Sequence, residues 1–124
     1  MYNLSGYRKT FIKRKSLGGG MVAYVHNTLE FNLNINYTCI LDSHESLFFT
    51  VKCPNKIDIN FWCIYSPPSK RLAAFTDYLQ SVPSRLFRSN TVILGGFNVC
   101  PVRDGTSPGY VAFEDFYCRK IFDS

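Results

Sequence analysis

Apolar and polar positions alternate through two stretches in the middle of the chain, and strict alternation marks a strand with two distinct faces. Glu45 to Cys53 places Leu47, Phe49, Val51 and Cys53 on one face and Ser46, Phe48, Thr50 and Lys52 on the other. Asp58 to Tyr65 sets Ile59, Phe61, Cys63 and Tyr65 against Asp58, Asn60, Trp62 and Ile64. Pro54-Asn55-Lys56 between them predicts a hairpin turn, because Pro and Asn both suit turn geometry. Upstream, Met21 to Val25 predicts a strand entered from the turn Gly18-Gly19-Gly20. Phe31, Leu33, Ile35 and Tyr37 alternate with asparagines and predict a half-exposed strand over Phe31 to Tyr37.

The period then changes. Leu72, Phe75, Leu79, Val82 and Leu86 recur every three or four residues, which predicts a helix with one apolar stripe, capped by Ser69. Pro83 removes a backbone donor and disfavours helical geometry at Val82, so it ends or kinks that helix. Thr91 to Leu94 is an apolar strand run that stops at Gly95-Gly96 and is followed by Phe97-Asn98. Strand, helix and strand in succession belong to a mixed α/β sheet. Cys100 to Gly109 is rich in Pro and Gly and reads as a linker, and Tyr110 to Phe122 predicts a second helix with Val111, Phe113, Phe116 and Tyr117 inward.

Composition narrows this to a chain that buries a core. Its 124 residues suit one domain, and 46% hydrophobic with 16% aromatic content excludes intrinsic disorder. Charge is asymmetric: Arg8, Lys9, Lys13, Arg14 and Lys15 fall among residues 1–29 without an acidic residue, so the formal net charge of +5 resides there. A basic loop from Arg8 to Lys15 attracts polyanions through phosphate contacts and counterion release, or serves only as a solvated segment. The five cysteines lack any paired spacing, which indicates neither a zinc site nor a disulfide framework. No apolar run approaches the roughly 20 residues of a membrane helix, and no secretory signal is visible. These features predict an intracellular protein with no membrane association, and they identify no protein partner.

Several segments taken together carry a resemblance. Gly95-Gly96-Phe97-Asn98 resembles the Gly-Asp-Phe-Asn element of the endonuclease/exonuclease/phosphatase family. Gly18-Gly19-Gly20-Met21-Val22-Ala23-Tyr24-Val25, Glu45 to Val51, and Phe61 to Pro68 with its Tyr-x-Pro-Pro ending resemble preceding elements in order and spacing. The combination resembles the endonuclease domain of a LINE-like, non-LTR retrotransposon over roughly residues 5 to 120. It implies part of a four-layer α/β sandwich, DNase I-like, with two mixed β-sheets flanked by helices. It also implies Mg²⁺ as cofactor, DNA as partner and a nuclear location.

Matched position by position, the resemblance places the family's Tyr at Tyr65 and its phosphate-holding Asn at Asn98. It gives Arg8, Lys9, Lys13, Arg14 and Lys15 as candidate DNA contacts. The base position is Gly96, which has no side chain to accept a proton. The family's metal-binding Glu would precede Met1 and its Asp-His pair would follow Ser124, so residues 1–124 read as a partial domain without a metal site. Glu45 is expected to be a surface or network carboxylate rather than a ligand, and Asp58 opens its strand at the end away from Tyr65. The expected function is a remnant of a Mg²⁺-dependent phosphodiesterase, inactive as it stands. The alternatives are a non-catalytic nucleic-acid-binding module and a poorly folded gene fragment.

Overall fold

The computed structural model describes residues 3–14, 20–41, 43–54, 57–66, 72–88 and 90–96. Strands β1 (Tyr7–Ile12) and β2 (Met21–His26) form an antiparallel hairpin. Strands β3 (Glu30–Leu33), β4 (Cys39–Ile40), β5 (Glu45–Lys52), β6 (Asp58–Tyr65) and β7 (Thr91–Gly96) build a five-stranded sheet in the order β3-β5-β6-β7, with β4 also on β5. β5 and β6 pair antiparallel, whereas β6 and β7 run parallel. A parallel pair needs a crossover, supplied here by helices α1 (Leu72–Ser81) and α2 (Arg85–Arg88). Pro83 falls between the two helices, where a missing donor and a restricted φ interrupt the helix.

The alternation in β5 and β6 becomes two cores on opposite faces of the sheet. On the helix side, Phe48, Trp62 and Ile64 pack with Phe75, Leu79 and Val82, and Ile93 of β7 adjoins them. On the hairpin side, Leu47, Phe49 and Val51 pack with Val25, flanked by Ile12, Met21, Phe31 and Phe61. Residues 45–49 of β5 are buried without interruption because both faces of the strand are covered. Helices, mixed sheet and hairpin thus stack as layers of an α/β sandwich.

Two expectations are corrected. Phe31 to Tyr37 is not one strand: β3 ends at Leu33 and Ile35–Tyr37 forms a 3-10 turn. The Asn34 side chain accepts from the Asn36 N–H at 3.0 Å, and the Thr38 hydroxyl accepts from the Phe48 N–H at 3.1 Å while donating to the Asn34 carbonyl at 2.7 Å. These local bonds compete with the strand ladder and pin the turn to β5. The basic segment from Arg8 to Lys15 is not a loop through Ile12 either, since Arg8 and Lys9 lie within β1. The Ser69 cap, Lys15, Asn98 and the expected helix over Tyr110 to Phe122 fall outside the described residues.

Candidate functional site

Register sets three residues side by side at one end of the sheet. Glu45 opens β5 opposite Tyr65, and Tyr65 closes β6 opposite Gly96, the last residue of β7. The Ser66 N–H donates to the Gly96 carbonyl at 2.9 Å and ties the two strand ends together. Carboxyl ends of parallel strands are where ligands gather in open α/β sheets, because the chain leaves the sheet there and frees its polar groups. Asp58 pairs with Lys52 at the far end, as its place in the sequence predicts.

Glu45 is a buried carboxylate with a dedicated cation. Its side chain is 3% exposed and the Arg14 side chain 30% exposed. Arg14 Nε donates to Oε1 at 2.5 Å and a terminal guanidinium nitrogen donates to Oε2 at 2.7 Å, a bidentate pair. The Glu45 hydrogen bond, together with the nearby carboxylate charge and Tyr65, holds the guanidinium above its ordinary pKa against the opposing effect of desolvation. The guanidinium carbon also lies 5.8 Å from the Tyr65 ring centroid. Arg14 therefore joins Tyr65 and Glu45 in one cluster rather than serving a solvated basic loop, and Glu45 is a network carboxylate.

The adjacent glycines at the end of β7 have different roles. Gly95 has φ +156°, and a β-carbon there would sit 1.7 Å from the Ile64 carbonyl oxygen. Only a residue without a side chain lets β7 lie this close to β6. Among the described residues, a β-carbon at Gly96 would meet only Tyr65 Cδ2, at an ordinary 3.8 Å. With respect to the described residues, position 96 thus has room for a side chain beside Tyr65, and the sequence leaves it bare.

The other basic candidates divide by face. Arg8 donates to the Leu29 carbonyl and stacks over Phe31, with its guanidinium carbon 5.1 Å from the ring centroid. Lys9 donates to Asn3 Oδ1 at 2.8 Å, and Lys13 is exposed. Sequence reasoning missed His44, which is fully buried, lies tilted against Tyr78 at 4.1 Å between centroids, and has no partner for Nε2 among the described residues. Its position just before an alternating strand carried no sign of that burial.

A Mg²⁺ ion does not fit the described residues. Both Glu45 oxygens are engaged by Arg14, and no group of three His, Cys, Asp or Glu side chains stands together among them. Hard divalent cations take several oxygen ligands, so one already paired carboxylate does not form a site.

The layered mixed sheet and its parallel strand ends form an α/β sandwich with a DNase I-like fold. Among solved structures, the chain is similar to the human Nocturnin catalytic domain with bound sulfate anion, at a TM-score of 0.52 and 16% identity. The match covers 85% of this chain and 49% of that one, so the chain spans about half the length of the solved domain. No protein-family model and no curated protein matches the sequence.

Proposed function

We propose that this chain is the remnant of a DNA endonuclease domain of a LINE-like, non-LTR retrotransposon, and that it does not hydrolyse phosphodiesters as it stands. One observation carries the reading: at the carboxyl end of β7, beside Tyr65, position 96 has space for a side chain among the described residues and holds glycine. A nuclease of this fold needs a proton acceptor to activate water, and losing a positioned general base costs about 10² to 10⁴ in rate. Tyr65 keeps a phenol that can donate to a phosphate oxygen, and Asn98 supplies an amide for the same group. Arg8, Lys9, Lys13 and Lys15 add positive charge near a DNA strand, and Arg14 holds Glu45. Mg²⁺ serves such domains by stabilising charge on the phosphoryl oxygens. The described residues do not hold it.

A supercoiled-plasmid nicking assay in Mg²⁺ buffer tests this, with folding checked by circular dichroism. The unmodified chain is expected to leave the plasmid intact. Nicking by that chain, abolished in Tyr65→Phe, overturns the reading. Gly96→Asp is expected to keep the parent's circular dichroism spectrum and urea midpoint. Gly95→Ala, which drives a β-carbon into the Ile64 carbonyl, is expected to lose the folded signal.

A further inference from the structure

The outer face of the β1–β2 hairpin alternates aromatic rings with cations. Pleating divides each strand in two. Thr10 is buried and Ile12 packs into the hairpin-side core, so Tyr7, Lys9 and Phe11 face away from it. On β2, Met21, Ala23 and Val25 face the core, which leaves Val22, Tyr24 and His26 outward. Register places Tyr7 opposite His26 and Lys9 opposite Tyr24. Tyr7 and Phe11 are each 45% exposed. Tyr7 meets His26 edge-on with centroids 5.2 Å apart, and the Lys9 ammonium lies 5.9 Å from the Phe11 ring centroid. Lys13 extends the basic row and is exposed.

Charge and chemistry narrow the ligand. Residues 1–29 contain no Asp or Glu, and Arg8 and Arg14 are turned toward Phe31 and Glu45, so among the described residues Lys9 and Lys13 are the cations of this face. Exposed rings beside ammonium groups suit a ligand that offers flat apolar faces and phosphates at once. An unpaired nucleic-acid strand does so: its bases stack on aromatic side chains while its backbone follows the positive charge. A duplex hides its base faces, and an acidic protein surface would use the lysines but not the rings. Neither stacking nor phosphate pairing calls on a 2′-hydroxyl.

We infer that the outer face of the β1–β2 hairpin binds single-stranded DNA, with Tyr7 and Phe11 stacking bases and Lys9 and Lys13 neutralising phosphates. This inference stands on the hairpin face and not on the fold's hydrolytic history, so nicking by the unmodified chain would leave it intact.

Fluorescence anisotropy with a labelled oligothymidylate tests it on the full chain across a salt series, beside a duplex and an oligouridylate of equal length. Tyr7→Ala and Phe11→Ala are each expected to weaken binding about tenfold without changing the salt slope. Lys9→Gln and Lys13→Gln are each expected to reduce that slope by about 0.7, and Lys9→Arg to restore it. Phe11→Leu keeps the volume, removes the ring, and serves if the alanine variant fails to fold. Three results overturn the inference: a duplex or RNA bound more tightly than the single DNA strand, variants that bind like the parent, or oligomers that the same variants dissolve.

Discussion

The two faces of the five-stranded sheet are covered to different degrees. On the helix side, Trp62 and Phe75 are fully buried, and the crossover from β6 to β7 lays α1 over its own strands. On the hairpin side, two strands cover β5 and part of β6, and a cleft of about 330 Å³ opens among Val25, Leu29, Phe49, Val51, Ile59 and Phe61. Further along, Val92 and Leu94 of β7 remain 40% and 49% exposed. A helical crossover is a local solution, because the helix that links two parallel strands also shields them. Closing one sheet over another takes strands that are distant in the sequence. The helix face is therefore complete within 45 to 96, while the hairpin face is only partly covered by the described residues.

The widest gap between the faces should appear on truncating one large residue in each. Trp62→Ala is expected to cost about 4 to 5 kcal/mol, since it opens a sealed site and removes the indole N–H bond to Ser46 Oγ, 2.7 Å long. Phe49→Ala is expected to cost about 3 kcal/mol, because its surroundings already open to a cleft and collapse more readily. Urea midpoints by circular dichroism give both values. A greater loss for Phe49→Ala would reverse the ranking of the two faces.

A proton should distinguish the faces next. His44 sits on the sealed side against Phe75 and Tyr78, with Nδ1 2.9 Å from the Ser43 hydroxyl and Nε2 without a partner among the described residues. Burial lowers its pKa from 6.5 to about 4 and pushes the neighbouring Tyr78 phenol up to about 12. The folded state then binds fewer protons than the unfolded state between these two histidine values, so stability falls as pH falls from 6.5 toward 4 and levels off below. The expected loss is on the order of 3 kcal/mol. His44→Phe, which suits the aromatic neighbours, is expected to remove that part of the pH dependence of the urea midpoint. An unchanged profile would assign it elsewhere.

Much of this contrast was legible in the residues. The alternation in 45–52 and 58–65 divided the two cores correctly, because each strand packs on both faces and every second side chain must suit its own layer. Pro83 marked the helix break for the same local reason. What remained hidden depends on partners far along the chain or on polar groups that satisfy each other. Arg14 and Glu45 lie 31 residues apart, and nothing near Arg14 distinguished it from Lys13. Within and just after β1, Arg8, Lys9, Lys13 and Arg14 suggested a basic loop and masked the alternation of Tyr7 and Phe11 against Thr10 and Ile12. The two glycines of Gly95-Gly96 look equivalent in sequence, and only the distance to Ile64 separates the required one from the bare one.

The smallest expected effect lies on the open face of β7. Leu94 is 49% exposed opposite Cys63, whereas its neighbour Ile93 points to the helix-side core. A lysine at 94 can keep its stem along the sheet and its ammonium in water, so Leu94→Lys is expected to shift stability by no more than about 0.5 kcal/mol. Ile93→Lys would bring an ammonium against Trp62 and Phe87 and should destabilise far more, since a charge without a partner in an apolar layer is costly. The sharper readout for Leu94→Lys is solubility. Val92, Leu94 and Ile57 leave apolar surface exposed on this side, and a charge within such a patch opposes self-association. Light scattering at rising concentration should show less association for Leu94→Lys at an unchanged urea midpoint. A large loss of stability would mean that the hairpin face is as fully packed as the helix face, and the contrast between the two would no longer hold.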